Sequence, residues 1–193
     1  MGGSRDIRYV RAKEETAMGI NNVEVSELKK FAEEAEVNPE LAKKSKQVEG
    51  EWVFDENKPQ FRATLAFKEG ERIVESDFAP FMGGHGLAPD AVQYCLYGLA
   101  ACFAGTFVNL AAMERVDLKS LKISVRNQMD LTRTLGLSEN PIVQGVEVVL
   151  KVKTDAPREK VEELEALARE RCPGVYCLTE PISLKSIIEQ EGP

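Results

Sequence analysis

The sequence predicts an α+β fold, and three observations carry that prediction. Segments of alternating apolar and polar residues fall into two groups, one before residue 80 and one after residue 118. Between them lies an uncharged run over 91–113, AVQYCLYGLAACFAGTFVNLAAM. A second helical pattern with a single apolar stripe follows the later strands. Runs of strands separated by single helices belong to α+β proteins, not to a regular βαβ repeat.

Residues 1–22 carry little pattern. The stretch 25–37, VSELKKFAEEAEV, reads as a helix with Ser26 as its N-cap. NPELAKKSK begins a second helix, with Asn38 as N-cap and Pro39 at the first helical position. This region is charged and poor in apolar anchors, so residues 1–48 are predicted to be a helical extension packed on a main domain over 49–193. EWVF (51–54) is a short aromatic strand. QFRATLAF (60–67) alternates, with Phe61, Ala63, Leu65 and Phe67 on one face. Gly70 marks a hairpin turn into ERIVESDF (71–78). The loop PFMGGHGLAPD follows, and Pro89 and Asp90 stand where a helix starts.

The run 91–113 is long enough for a membrane span, which needs about 20 apolar residues. Its Ala, Gly and Cys are weak insertion residues, and the strands on both sides need a core. The prediction is therefore no membrane but a central helix buried on nearly every side. Gly98, Ala100, Ala101, Ala104 and Gly105 would let another helix approach closely, including one from a second subunit. SLKISVRNQMD (120–130) then alternates through Leu121, Ile123 and Val125. VEVVLKVKT (146–154) alternates through Val146, Val148, Leu150 and Val152. A helix over 155–172, opened by Asp155 and Pro157, carries the stripe Val161, Leu164, Leu167 and Ala168. PISLKSIIE (181–189) is predicted to be a last strand, with Ile182, Leu184 and Ile188 on one face.

Composition narrows the function. The chain has 193 residues, 43% of them hydrophobic and 30% charged, which is a soluble globular profile. A net charge of −7 without a Lys/Arg cluster argues against nucleic acid as a partner. No P-loop or G-x-G-x-x-G is present, so nucleotide cofactors have no support. The four cysteines follow no apolar leader, which points to a reducing compartment and a cytoplasmic protein. Their spacings, C-x6-C and C-x4-C, are not those of a zinc knuckle, so no metal is expected. The lone histidine, His85, lies in a Gly-rich loop and reads as a surface residue.

The thiols remain. Cys95 and Cys102 are seven residues apart and share a helix face. Cys172 lies four residues after Ala168, so it continues the apolar stripe and points inward where Pro173-Gly174 breaks the helix. Buried cysteines are common and mostly inert, so packing and redox chemistry both stay open on these facts. Cys95 and Cys177 read as core and turn residues, with four residues between Cys172 and Cys177.

At these residues the sequence resembles the OsmC/Ohr family of thiol-dependent hydroperoxide reductases. The matching features are LAAC at 99–102 inside a long apolar helix, the dipeptide Cys172-Pro173 ending the next helix, and the strand order around them. The resemblance covers roughly residues 50–189, and GINNVEVSEL resembles the N-terminal extension of a longer OsmC-like subgroup. It implies two antiparallel sheets around long central helices in an intertwined homodimer. It implies that the Cys102 thiolate attacks an organic hydroperoxide, that Cys172 resolves the sulfenic acid as a disulfide, and that an external dithiol resets the pair without a bound cofactor. An apolar pocket would favour bulky alkyl groups, at about 0.8 kcal/mol per buried methylene. In the family an Arg activates the thiol, and a Glu early in the long helix holds that Arg. Aligned on LAAC, the Glu position falls on Gln93, a polar pocket residue without charge; Asp90 is a substitute, and Arg62 and Arg72 are candidate cations. The alternative is a non-peroxidase of the same fold that binds a small apolar ligand, its cysteines structural or redox-sensing.

Overall fold

In the computed structural model, which describes residues 19–190 and residue 192, the chain runs α1 (Val25–Val37), β1 (Glu49–Trp52), β2 (Phe61–Phe67), β3 (Gly70–Ser76), α2 (Ala91–Met113), β4 (Leu118–Met129), β5 (Val143–Thr154), α3 (Arg158–Arg171) and α4 (Pro173–Thr179). Two antiparallel sheets form, β1-β2-β3 and β4-β5. This is the predicted α+β arrangement of two antiparallel sheets with a long central helix. Residues 1–18, part of the predicted extension, lie outside the described residues.

The core lies between α2, α3 and one face of β4-β5. Phe103, Phe107, Leu110, Leu164 and Ala168 are fully enclosed, and Leu121, Ile123, Val148, Leu150 and Val152 close the sheet side. Strand alternation does this directly, because every second residue of each strand faces the helices. The α3 stripe is the predicted one. Lys160 on α3 bonds Glu114, just past the end of α2, at 3.2 Å, which fixes the two helices against each other. α2 ends at Glu114, and Arg115 then adopts a left-handed backbone (φ 57°). The Val116 N–H reaches back to the Ala111 carbonyl at 2.8 Å, as a Schellman ending requires.

α1 docks on the far end of α2, where Val25 packs with Ala112 and Met113. The Asn21 side chain seals the junction, donating to the Val116 carbonyl and accepting from the Leu118 N–H, both at 2.8 Å.

Four expectations need correction. Glu24, not Ser26, holds the N-cap position of α1, and no side chain caps it. The helix expected from Asn38 is a single 3-10 turn, Pro39–Ala42, although Asn38 does accept from the Glu40 N–H. The strand expected over 181–189 does not form, and Leu184 and Ile188 are 96% and 93% exposed. Alternation prepares a strand, but the described residues offer this one no partner. Finally, α2 is not buried on every side. It is long and apolar enough to cross a membrane by length and composition. Its C-terminal half is instead walled by core residues, while Tyr97, Gly98, Ala101 and Gly105 are exposed.

Candidate functional site

The site begins with Cys102 on α2, which is half-buried at the edge of the core. Cys172 is 1% exposed and occupies a junction, ending α3 and serving as the N-cap position of α4. All four cysteines carry free thiols, and the Cys102 and Cys172 side chains are within hydrogen-bonding reach of each other. The fold thus brings together residues seventy positions apart. The α3 stripe delivers Cys172, and α2 presents Cys102 from the opposite side.

Gly174 makes the approach possible. A Cβ at this position would lie 3.2 Å from the Cys102 Cβ, 3.3 Å from Leu99 Cδ1 and 3.6 Å from the Cys102 Sγ. Only a residue without a side chain lets α4 rest against α2 this closely without a shift. Its backbone N–H also favours the Cys102 thiolate. Sequence reasoning missed this residue by reading Pro173-Gly174 as a helix breaker. Proline is also the favoured first residue of a helix, and here it opens α4.

Burial pushes the Cys102 thiol above its ordinary pKa, and the neighbouring Cys172 and Cys177 sulfurs push in the same direction. The Gly174 N–H acts against them, because a donor to the sulfur favours the thiolate, but the net direction is upward. Among the described residues, none of these leading influences is a cation.

The other candidates fall elsewhere. Gln93 sits at the exposed start of α2 in a reciprocal capping box: its side chain accepts from the Asp90 N–H at 3.0 Å, and Asp90 accepts from the Gln93 N–H at 2.9 Å. Nine residues separate it from Cys102, about 13 Å of helix rise. The D-x-x-Q spacing carried this signal in the sequence. Arg62 pairs with Glu51 across β1 and β2 at 3.5 Å, and Arg72 lines a separate cleft. Cys95 is exposed rather than core, and Cys177 lies on α4 rather than in a turn. His85 is exposed as expected.

That cleft, of about 1050 Å³, lies between the β1-β2-β3 sheet and the first turns of α2. Trp52, Phe61, Phe78, Tyr94 and Tyr97 give it an aromatic lining, joined by Leu65, and neither Cys102 nor Cys172 reaches it. Phe61, Ala63 and Leu65 come from the predicted apolar face of β2. Asp77 is among its lining residues, 2% exposed, and accepts from the Leu87 and His85 N–H groups at 2.9 and 3.2 Å. The Leu87 bond foremost holds its carboxyl below the usual range. These bonds shape the Gly-rich loop, in which Gly84 passes so close to Phe78 that a Cβ would meet its carbonyl oxygen at 2.0 Å. Among the described residues, no cluster of three or more His, Cys, Asp or Glu is arranged to hold a metal ion.

The sequence model for the OsmC-like protein family matches residues 84–186, which include both thiols. Among solved structures, an osmotic stress induced and detoxification response protein from Psychrobacter arcticus superposes with a TM-score of 0.54 at 13% identity, covering 72% of this chain and 91% of that one. An organic hydroperoxide resistance protein from Legionella pneumophila gives 0.51 at 17% identity, covering 72% and 93%. An OsmC-like protein of unknown function from Vibrio cholerae gives 0.50 at 14% identity, covering 71% and 95%. No curated protein sequence matches the chain.

Proposed function

The chain belongs to the OsmC-like protein family, and from that premise we propose that it is a thiol peroxidase that reduces organic hydroperoxides through Cys102 and Cys172. The observation that carries this reading is the packing of Cys102 against the core cluster that holds Cys172, which sets two free thiols together at the meeting of α2, α3 and α4. The Cys102 thiolate attacks one peroxide oxygen, the O–O bond breaks, and the alcohol leaves with a proton. The resulting sulfenic acid is attacked by the Cys172 sulfur, which releases water and leaves a disulfide. An external dithiol in a reducing, cytoplasmic setting returns both thiols. No bound cofactor enters these steps.

The reaction needs thiolate, and the pKa of Cys102 is raised in this chain. With reduced protein and cumene hydroperoxide, the rate of peroxide loss is expected to climb with pH from 6 through 8 and to level off only above the ordinary thiol value of about 8.5. Two thiols should disappear per peroxide consumed. A reduced protein that leaves the peroxide untouched at every pH would defeat the peroxidase reading.

The raised pKa, together with a capping Gln93 where the family keeps Glu, favours a second reading: a binder of small apolar ligands whose thiols sense oxidants slowly. Ligand binding without peroxide turnover would select it.

We also propose a homodimer. The open face of α2 with Gly98, Ala101 and Gly105, the uncovered Leu65 and Ile73, and the exposed Ile182, Leu184 and Ile188 are apolar groups that a second copy would bury. Light scattering at micromolar concentration is expected to give twice the chain mass, and a value equal to one chain would remove the dimer.

A further inference from the structure

A third thiol adjoins the pair. Cys177 is three residues after Gly174 on α4, so the two share the helix face that rests on α2. A Cβ at Gly174 would meet both Cys102 and Leu99, so this face of α4 is the one turned to α2. Cys177 therefore lies on the side of α4 nearest Cys102, and its sulfur acts on the Cys102 thiol electrostatically. The burial of the two partners differs sharply. Cys172 is 1% exposed, whereas Cys177 is open to solvent. A disulfide between Cys102 and Cys172 is thus formed on the buried side, where an external dithiol has poor access.

We propose that Cys177 relays this disulfide to the surface by thiol–disulfide exchange. The Cys177 thiolate attacks the Cys102 sulfur, the Cys102–Cys172 bond breaks, and Cys172 leaves as thiolate and takes up a proton. The new Cys102–Cys177 disulfide presents its Cys177 sulfur to solvent. An external dithiol attacks that sulfur and releases Cys102. Its second thiol then closes on the first, which frees Cys177; the dithiol has delivered two electrons to the protein and leaves as its own disulfide. The short α4, held by few core residues, is the element that moves during exchange.

The relay builds on the Cys102–Cys172 pairing of the proposed function, but its test does not need peroxide. Full-length protein in a Cys95→Ser background is oxidised with one equivalent of diamide and mapped by mass spectrometry after acid quenching. Re-reduction by dithiothreitol is then followed by thiol release. The expected map contains Cys102–Cys172 and Cys102–Cys177 linkages. Oxidised Cys177→Ser and Cys177→Ala variants are expected to re-reduce at least tenfold more slowly than the parent. Re-reduction of both variants at the parent rate, or a parent map without a Cys102–Cys177 linkage, overturns the relay. If the linkages form with diamide while the reduced protein ignores hydroperoxide, the peroxidase reading falls and the relay stands.

Discussion

Cys102→Ser is expected to lower the rate of organic hydroperoxide loss on the order of 10³-fold or more, to the level of protein-free buffer. A serine hydroxyl is not ionised near neutral pH, and its oxygen cannot accept an oxygen atom from a peroxide to give a sulfenic acid. No neighbouring group replaces it: Cys172 is enclosed at 1% exposure, and Cys177 is an exposed thiol outside the core. Effects of this size are ordinary when a covalent nucleophile is removed from a unit that acts together. Cys172→Ser should behave differently. It should consume about one equivalent of peroxide and stall with a sulfenic acid on Cys102, which dimedone traps and mass spectrometry locates. Cys95→Ser, on the exposed start of α2, should match the parent. Rapid peroxide consumption by Cys102→Ser would place the chemistry on another residue, and the contact between the two sulfurs would then be packing alone.

Much of the scaffold was legible because burial leaves periodic traces. The uncharged run 91–113 became α2 with those limits, and Leu164, Leu167, Ala168 and Cys172 were readable as one inward stripe of α3. What failed was whatever depends on a partner. Ile182, Leu184 and Ile188 alternate as a strand does, yet a strand also needs a neighbouring edge, which sequence does not name. The small residues of α2 were read as admitting another helix, but within the chain α4 meets α2 at Cys102 and Leu99 through its own Gly174, while Gly98, Ala101 and Gly105 stay open. Within the site, both thiols were readable from stripe and motif. The Gly174 contact was not, because it depends on how tightly two helices cross. Gln93 was read as a pocket group because alignment on one motif carries no information about local hydrogen bonds. Its capping partner Asp90 three residues earlier did.

Phe107→Ala is expected to destabilise the protein by about 3–5 kcal/mol, a large share of the roughly 5–15 kcal/mol that holds a typical domain folded. Phe107 is completely enclosed and lies one turn beyond Phe103 on the α2 stripe, inside the cluster that includes Leu164 and Ala168 of α3. Truncation removes the ring from a position where helices on one side and the β4-β5 sheet on the other restrict collapse, so transfer and cavity costs add. Phe107→Leu, which keeps most of the volume, should cost clearly less. Urea unfolding at fixed protein concentration reads both variants, and the melting temperature of the alanine variant should fall on the order of 10 °C. The same loss has a consequence at the site. Cys172 sits at the end of α3, and α3 is held against α2 through this cluster and the Lys160–Glu114 bond. Loosening the helix pair lets Cys172 drift from Cys102, so disulfide formation after mild oxidation should slow in the alanine variant even where it remains folded. A variant that lost stability but formed the disulfide at the parent rate would show that α4 and Gly174, rather than the α2–α3 core, set the distance between the two sulfurs.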